Sequence, residues 1–158
     1  MEQKKKKYLT QEEALLKLQS YCAYQERCHQ EVERKLFELG VYGDYAEAVI
    51  ADLISTNFLN EERFAIAFAG GKFRIKQWGK YRIQKELQQR RVSRYSIGKA
   101  MEAIDKEENY EETLRSLLLR KSGDYEGRTE QLAAVALRKG WEGELIWKTL
   151  KEIKRDLH

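Results

Sequence analysis

Cys22, Cys28 and His29 are the residues of this chain whose types most readily do chemistry, and they spell C-x5-C-H. Thiolate and imidazole bind zinc, but this is not a usual zinc spacing and no fourth ligand is evident. A cysteine nucleophile needs a base within reach, and beyond His29 the chain holds only His158. The two cysteines therefore read as ordinary reduced thiols in or near a helix, with no catalytic and no metal-ligating residue assigned. The glycine pair of "AGGK", Ala69 to Lys72, lacks the surrounding spacing of a phosphate-cradling loop. The expectation is a protein that is not an enzyme and needs no cofactor.

Charge is the second candidate chemistry. The net charge is only +4, but its distribution is uneven. Between Lys72 and Arg94 stand nine bases (Lys72, Arg74, Lys76, Lys80, Arg82, Lys85, Arg90, Arg91 and Arg94) against one acid, Glu86. That window carries +8 and the rest of the chain −4. A solvated helix face would mix Glu with Lys at i, i+4, and this window has only Glu86 among its nine bases. Phe73, Trp78, Tyr81 and Tyr95 lie among the bases, and aromatic groups beside Arg and Lys suit stacking on unpaired bases or anchoring a protein interface. Taken singly, each aromatic reads better as core packing. The nine bases and Trp78 are the candidate binding residues. If their partner is a nucleic acid, counterion release makes binding weaken steeply with salt; an acidic protein face gives a milder effect. Lys4 to Lys7 read as a solubilising tail.

The elements that must position these residues are helical. At 158 residues, with 42% hydrophobic and 35% charged residues and no proline, the chain suits a mostly helical protein with a large wet surface. No apolar run is long enough to span a membrane. The basic N-terminus lacks the apolar core of a secretory signal, so a cytoplasmic location is expected. Ala46, Val49, Ile50 and Leu53 have the spacing of one helix face, and it returns 51 residues later at Ile97, Ala100, Met101 and Ile104. It returns again 49 residues on at Ile146, Thr149, Leu150 and Ile153. The same shifts connect Val32, Ile83 and Leu132, then Leu36, Leu87 and Ala136, then Val41, Val92 and Trp141.

Each repeat reads as three helices. Thr10 and Glu13 form a capping box for the first, and Gly40 ends the second. Asp44 and Glu47 have capping-box spacing for the third; Asn60 opens the next unit, and Ser93 can cap its last helix. The expected fold is all-α: three tandem three-helix repeats stacked into an elongated, curved array. The boundaries are a basic flexible tail at 1–9 and repeats at 10–56, 57–106 and 107–158, the second of them basic. No wide apolar strip is left over, which favours a monomer.

"LNEERFAIAFAGGKFRIKQWGKYRIQKEL" followed by "RRVSRYSIGKAM" resembles the central repeat of the RecX family of RecA regulators. The resembling residues are Leu59, Arg63-Phe64-Ala65, Phe68, Gly79, Ile83, Glu86-Leu87, Val92 and Ala100-Met101. Arg27, Glu31, Val32, Lys35 and Leu36 resemble the pattern of its first repeat. The resemblance implies a non-catalytic protein that lies along the groove of the RecA–single-stranded DNA filament and restrains ATP hydrolysis and strand exchange. In recombination and the SOS response this would make it an inhibitor. Two departures stand out. Arg91 replaces a frequent glycine, so the helix before it is expected to end differently or to run one residue further. Cys28-His29-Gln30 replaces small or polar residues and leaves that helix's cap open. The competing reading is a DNA-binding protein with helix-turn-helix-like units, but "YSIGKAMEAI" is not basic and its apolar stripe is wide enough to be core.

Overall fold

The computed structural model describes residues 9–157; the Lys4 to Lys7 cluster and His158 lie outside the described residues. Among them the chain is all-α, with nine α-helices, one short 3-10 turn and no strand. It divides into a first unit ending at Phe64 and a second running from Ala65.

The first unit holds α1 (Gln11–Tyr24), α2 (His29–Glu38) and α3 (Gly43–Ser55). Thr10 Oγ1 accepts from the Glu13 amide at 3.1 Å and starts α1. The cap of α2 is closed by a cysteine: the Cys28 thiol faces the amide of Glu31, and the Cys28 N–H donates to Glu31 Oε1 at 3.2 Å. The missing small polar residue is thus replaced by a thiol of similar reach. Helix α3 begins two residues earlier than the Asp44 capping box predicts, with Tyr42 at the cap and Asp44 in the first turn, where the dipole still favours it. Ala14, Leu18, Cys22, Val32, Leu36, Val49 and Leu53 close the core between these three helices. A fully buried leucine contributes roughly 2 kcal/mol, so a few such side chains carry a unit this small.

The second unit contains most of α4 (Glu61–Lys76), then α5 (Lys80–Gln89), α6 (Arg94–Asp105), α7 (Tyr110–Ser122), α8 (Thr129–Arg138) and α9 (Gly143–Asp156). Asn60 Oδ1 accepts from the Arg63 amide at 2.8 Å, and Ser93 Oγ accepts from the Ser96 amide at 3.3 Å, so both predicted caps form. Ala65, Ala69 and Phe73 give α4 a buried stripe at i, i+4, i+8. Every one of the nine residues linked by the 51- and 49-residue shifts, from Val32 to Trp141, is buried.

The short middle helix of each triplet ends in the same way. Gly40, Arg91 and Gly140 have φ of 78°, 58° and 96°. In each case the following amide reaches back five residues: Val41 to Leu36 O at 2.9 Å, Val92 to Leu87 O at 3.1 Å, Trp141 to Ala136 O at 3.2 Å. The expectation that α5 would stop differently at Arg91 is therefore corrected. Closing the turn so that Val92 is buried outweighs a left-handed penalty on the order of 1 kcal/mol for a residue with a Cβ.

Candidate nucleic-acid interface

The turn from α4 into α5 carries the basic stretch, and the third helix triplet holds it in place. Gln77 sits at φ 56° and is gripped from three sides. Trp141 Nε1 donates to its carbonyl at 2.9 Å, Arg120 Nη2 donates to its Oε1 at 2.6 Å, and Lys139 Nζ donates to the neighbouring Lys76 carbonyl at 3.0 Å. The first amides of α5 have no partner within their own helix. Here Gly79 N–H donates to Lys139 O at 2.9 Å, Tyr81 N–H to Gly140 O at 3.0 Å, and Lys80 N–H to the Tyr110 hydroxyl at 3.2 Å. The C-terminal carbonyls of α8 and one tyrosine thus complete the N-terminus of α5. Tyr110 in turn donates to the Glu142 carboxylate, at 2.8 Å to Oε1 and 3.0 Å to Oε2. Its ring packs against those of Phe73 and Trp141, with centroids 5.7 and 4.6 Å away. Burial, reinforced by that carboxylate, pushes the phenol far above its ordinary range.

Above this clamp runs a strip of cations seated on rings. The Arg82 guanidinium lies 4.2 Å from the Trp78 centroid and that of Arg90 lies 4.7 Å from the Phe68 centroid. Lys72 Nζ sits between them, 5.1 Å from Trp78 and 5.5 Å from Phe68, and the two rings meet edge to face at 6.4 Å. Each such contact is worth about 0.5–1 kcal/mol at a wet site and fixes where the charge stands. Trp78 therefore presents a guanidinium rather than a bare face. The aromatics left open for stacking are Tyr81 and Tyr95, 62% and 64% exposed. Phe73 is core, as its single-residue reading expected.

The ten candidate residues divide into three groups. Lys72, Trp78, Arg82 and Arg90 make the strip, with Arg90 also paired to Glu86 at 2.9 Å. Arg74 pairs with Glu107 at 3.3 Å, and Lys80 pairs with Asp105 while lying 5.0 Å from the Tyr110 ring. These two are neutralised within the fold. Lys76, Lys85, Arg91 and Arg94 are exposed.

Four bases outside the sequence window join the site. Lys139 is pushed below the ordinary lysine range first by burial and then by Arg120, Lys121, Arg82 and Lys76 around it. Arg82 Nη1 also reaches the Arg138 carbonyl at 3.4 Å. Next to these bases, Tyr81, Arg82, Lys85, Leu137 and Arg138 line an open groove of about 440 Å³. Like charges gathered from α4, α5, α7 and α8 repel one another, and an anionic partner would relieve that repulsion. In the sequence these bases are interspersed with acids; the one trace of their position is that "RKGW" follows the same repeat shift as "RRV".

Fold and surface together define an all-α helical-repeat protein with a composite basic face; no helix among the described residues is long and apolar enough to cross a membrane. Residues 60–101 match the family described as RecX, second three-helix domain. The chain is 26% identical over 150 residues to the regulatory protein RecX of Bacillus cytotoxicus, covering 92% of this chain and 55% of that protein. It is 28% identical over 143 residues to the regulatory protein RecX of Prosthecochloris aestuarii, covering 89% and 93%. A crystal structure of RecX from Lactobacillus salivarius superposes with a TM-score of 0.77 at 19% identity, over 91% of this chain and 96% of that one. A second crystal structure, of a regulatory protein RecX, gives 0.80 at 18% identity, over 89% and 73%. These two show the fold. The comparisons support the RecX family, and the curated relatives are named regulatory proteins rather than enzymes. It spans about half the length of its Bacillus relatives, 55% in B. cytotoxicus and 54% in B. cereus.

Proposed function

We propose that this chain is a non-catalytic cytoplasmic regulator that binds the RecA–single-stranded DNA filament along its groove and inhibits RecA ATPase and strand exchange. The observation that carries the reading is the ring-mounted strip Lys72, Arg82 and Arg90, extended by Lys139, Arg120 and Arg138 from the next triplet. A phosphate backbone, or the acidic surface of a protein coating it, is the partner that neutralises such a face. Repeats at 10–56, 57–106 and 107–158, acting as a monomer, would let several modest contacts add along one polymer. The helix-turn-helix alternative is weakened by α6, whose Ile97, Ala100 and Ile104 are buried and whose face is not basic.

RecA ATP turnover on single-stranded DNA, measured with increasing purified protein, tests the proposal. Suppression at or below equimolar protein is expected, and an unchanged rate would sink it.

A further inference from the structure

Helix α1 has two apolar sides, and the core uses one of them. Ala14, Leu18 and Cys22 point inward. Leu16, 64% exposed, and Tyr24, 83% exposed, stand on the outer side with Ser20 between them at i, i+4, i+8 spacing. Together with Lys17, Tyr21, Arg27, Lys35 and Leu39 they line an open groove of about 520 Å³ in the first unit.

Its floor is built rather than incidental. The Arg27 guanidinium lies 3.6 Å from the Tyr21 centroid, its Nε donates to the Tyr21 carbonyl at 3.0 Å, and its Nη1 pairs with Glu31 at 3.6 Å. Only 11% of that side chain is exposed, so its charge is spent within the fold. Lys35 Nζ lies 5.7 Å from the other partner of that stack, the Tyr21 ring. Lys17 and Lys35 add two cations to the lining, and among the described residues no acid belongs to it.

We propose that this groove docks an acidic protein segment bearing one large apolar side chain. The apolar side chain would lie against Leu16, Tyr24 and Leu39, and the flanking carboxylates would meet Lys17 and Lys35. An aromatic and aliphatic centre with a cationic rim is the composition of a protein-binding patch. A nucleic acid fits less well: Arg27 already covers Tyr21, Leu16 and Leu39 offer a base no π face, and Tyr24 is the one lining ring left open, where a stacked strand needs successive platforms. The proposal stands apart from the filament reading, since it concerns only the first unit and its test uses no RecA.

The probe is a fluorescein-labelled peptide of Asp and Glu around a Leu-Phe pair, compared with a twin in which every acid is its amide. Binding to the full chain is followed by anisotropy, and its position by backbone amide shifts. Binding of the acidic peptide is expected to shift amides between Leu16 and Leu39. It should weaken about tenfold for the amide twin and for either Lys35→Glu or Tyr24→Ser. Tyr24 is exposed and Lys35 half-buried, and an unchanged circular dichroism spectrum verifies that the variants fold. Equal affinity for the two peptides, shifts confined to other residues, or displacement of the peptide by oligo-dT at the same amides would overturn the proposal.

Discussion

Gly79 and Gly140 meet backbone to backbone: a Cβ on Gly79 would stand 2.5 Å from the Gly140 carbonyl oxygen. That oxygen accepts the Tyr81 amide, so the contact cannot open without losing a hydrogen bond. Gly79→Ala is expected to destabilise the protein by about 2–3 kcal/mol in urea unfolding. Gly140→Ala adds a left-handed backbone to a clash with Arg82 and should cost at least as much. Gly123→Ala, with open space around it, should stay within about 0.5 kcal/mol.

Arg91 is the odd member of the Gly40, Arg91, Gly140 series, and its left-handed backbone suggests an opposite pair of effects. Arg91→Gly should raise unfolding stability by roughly 0.5–1 kcal/mol, the strain relieved less the entropy a glycine returns to the unfolded chain. If the side chain contacts a phosphate, the same variant should bind single-stranded DNA filaments more weakly, with a salt slope shallower by about 0.7. Unchanged binding in a more stable protein would remove Arg91 from the interface.

Tyr110 holds the amide of Lys80 and the carboxylate of Glu142 at once. Tyr110→Phe should cost roughly 1–3 kcal/mol at neutral pH. A pH signature accompanies it. The phenol is raised above its ordinary 10.0 in the folded state, so the unfolded chain releases that proton first as pH climbs. The contribution is complete below pH 10.0 and declines above it. Wild type should therefore lose stability more steeply than the Phe variant across that alkaline range.

The three groups of bases should behave differently. Lys72→Ala, Arg82→Ala and Arg90→Ala are expected to weaken filament binding and each to reduce the salt slope by roughly 0.7 per phosphate released. Arg74→Ala and Lys80→Ala, whose charges are already matched by Glu107 and Asp105, should change binding less. Similar losses in both sets would mean that placement on the rings is irrelevant.

Local periodicity made the scaffold legible. Val32, Ile83 and Leu132, or Leu36, Leu87 and Ala136, are buried because a helix face needs only its own spacing to be recognised. The site was legible only in part, because its charges are balanced and assembled at a distance. "DKEENY" reads as a linker, yet Asp105 and Glu107 turn back to Lys80 and Arg74. Lys139 and Arg120 reach the basic stretch only because Trp141 and Gly140 pack α8 against the start of α5, a contact between residues about sixty apart in the chain. Trp78 gave its type but not its role; no spacing rule says that Arg82 will occupy its face.

The amides of Gly79, Lys80 and Tyr81 end on acceptors supplied by Lys139, Tyr110 and Gly140. Their exchange with solvent deuterium therefore reports on the third triplet rather than on α5 alone. A chain cut after α6 would leave those three donors to water and loosen the start of α5. The second and third triplets should accordingly open together, as one foldon. Any partner that grips α7 and α8 then also slows exchange at the head of the basic helix.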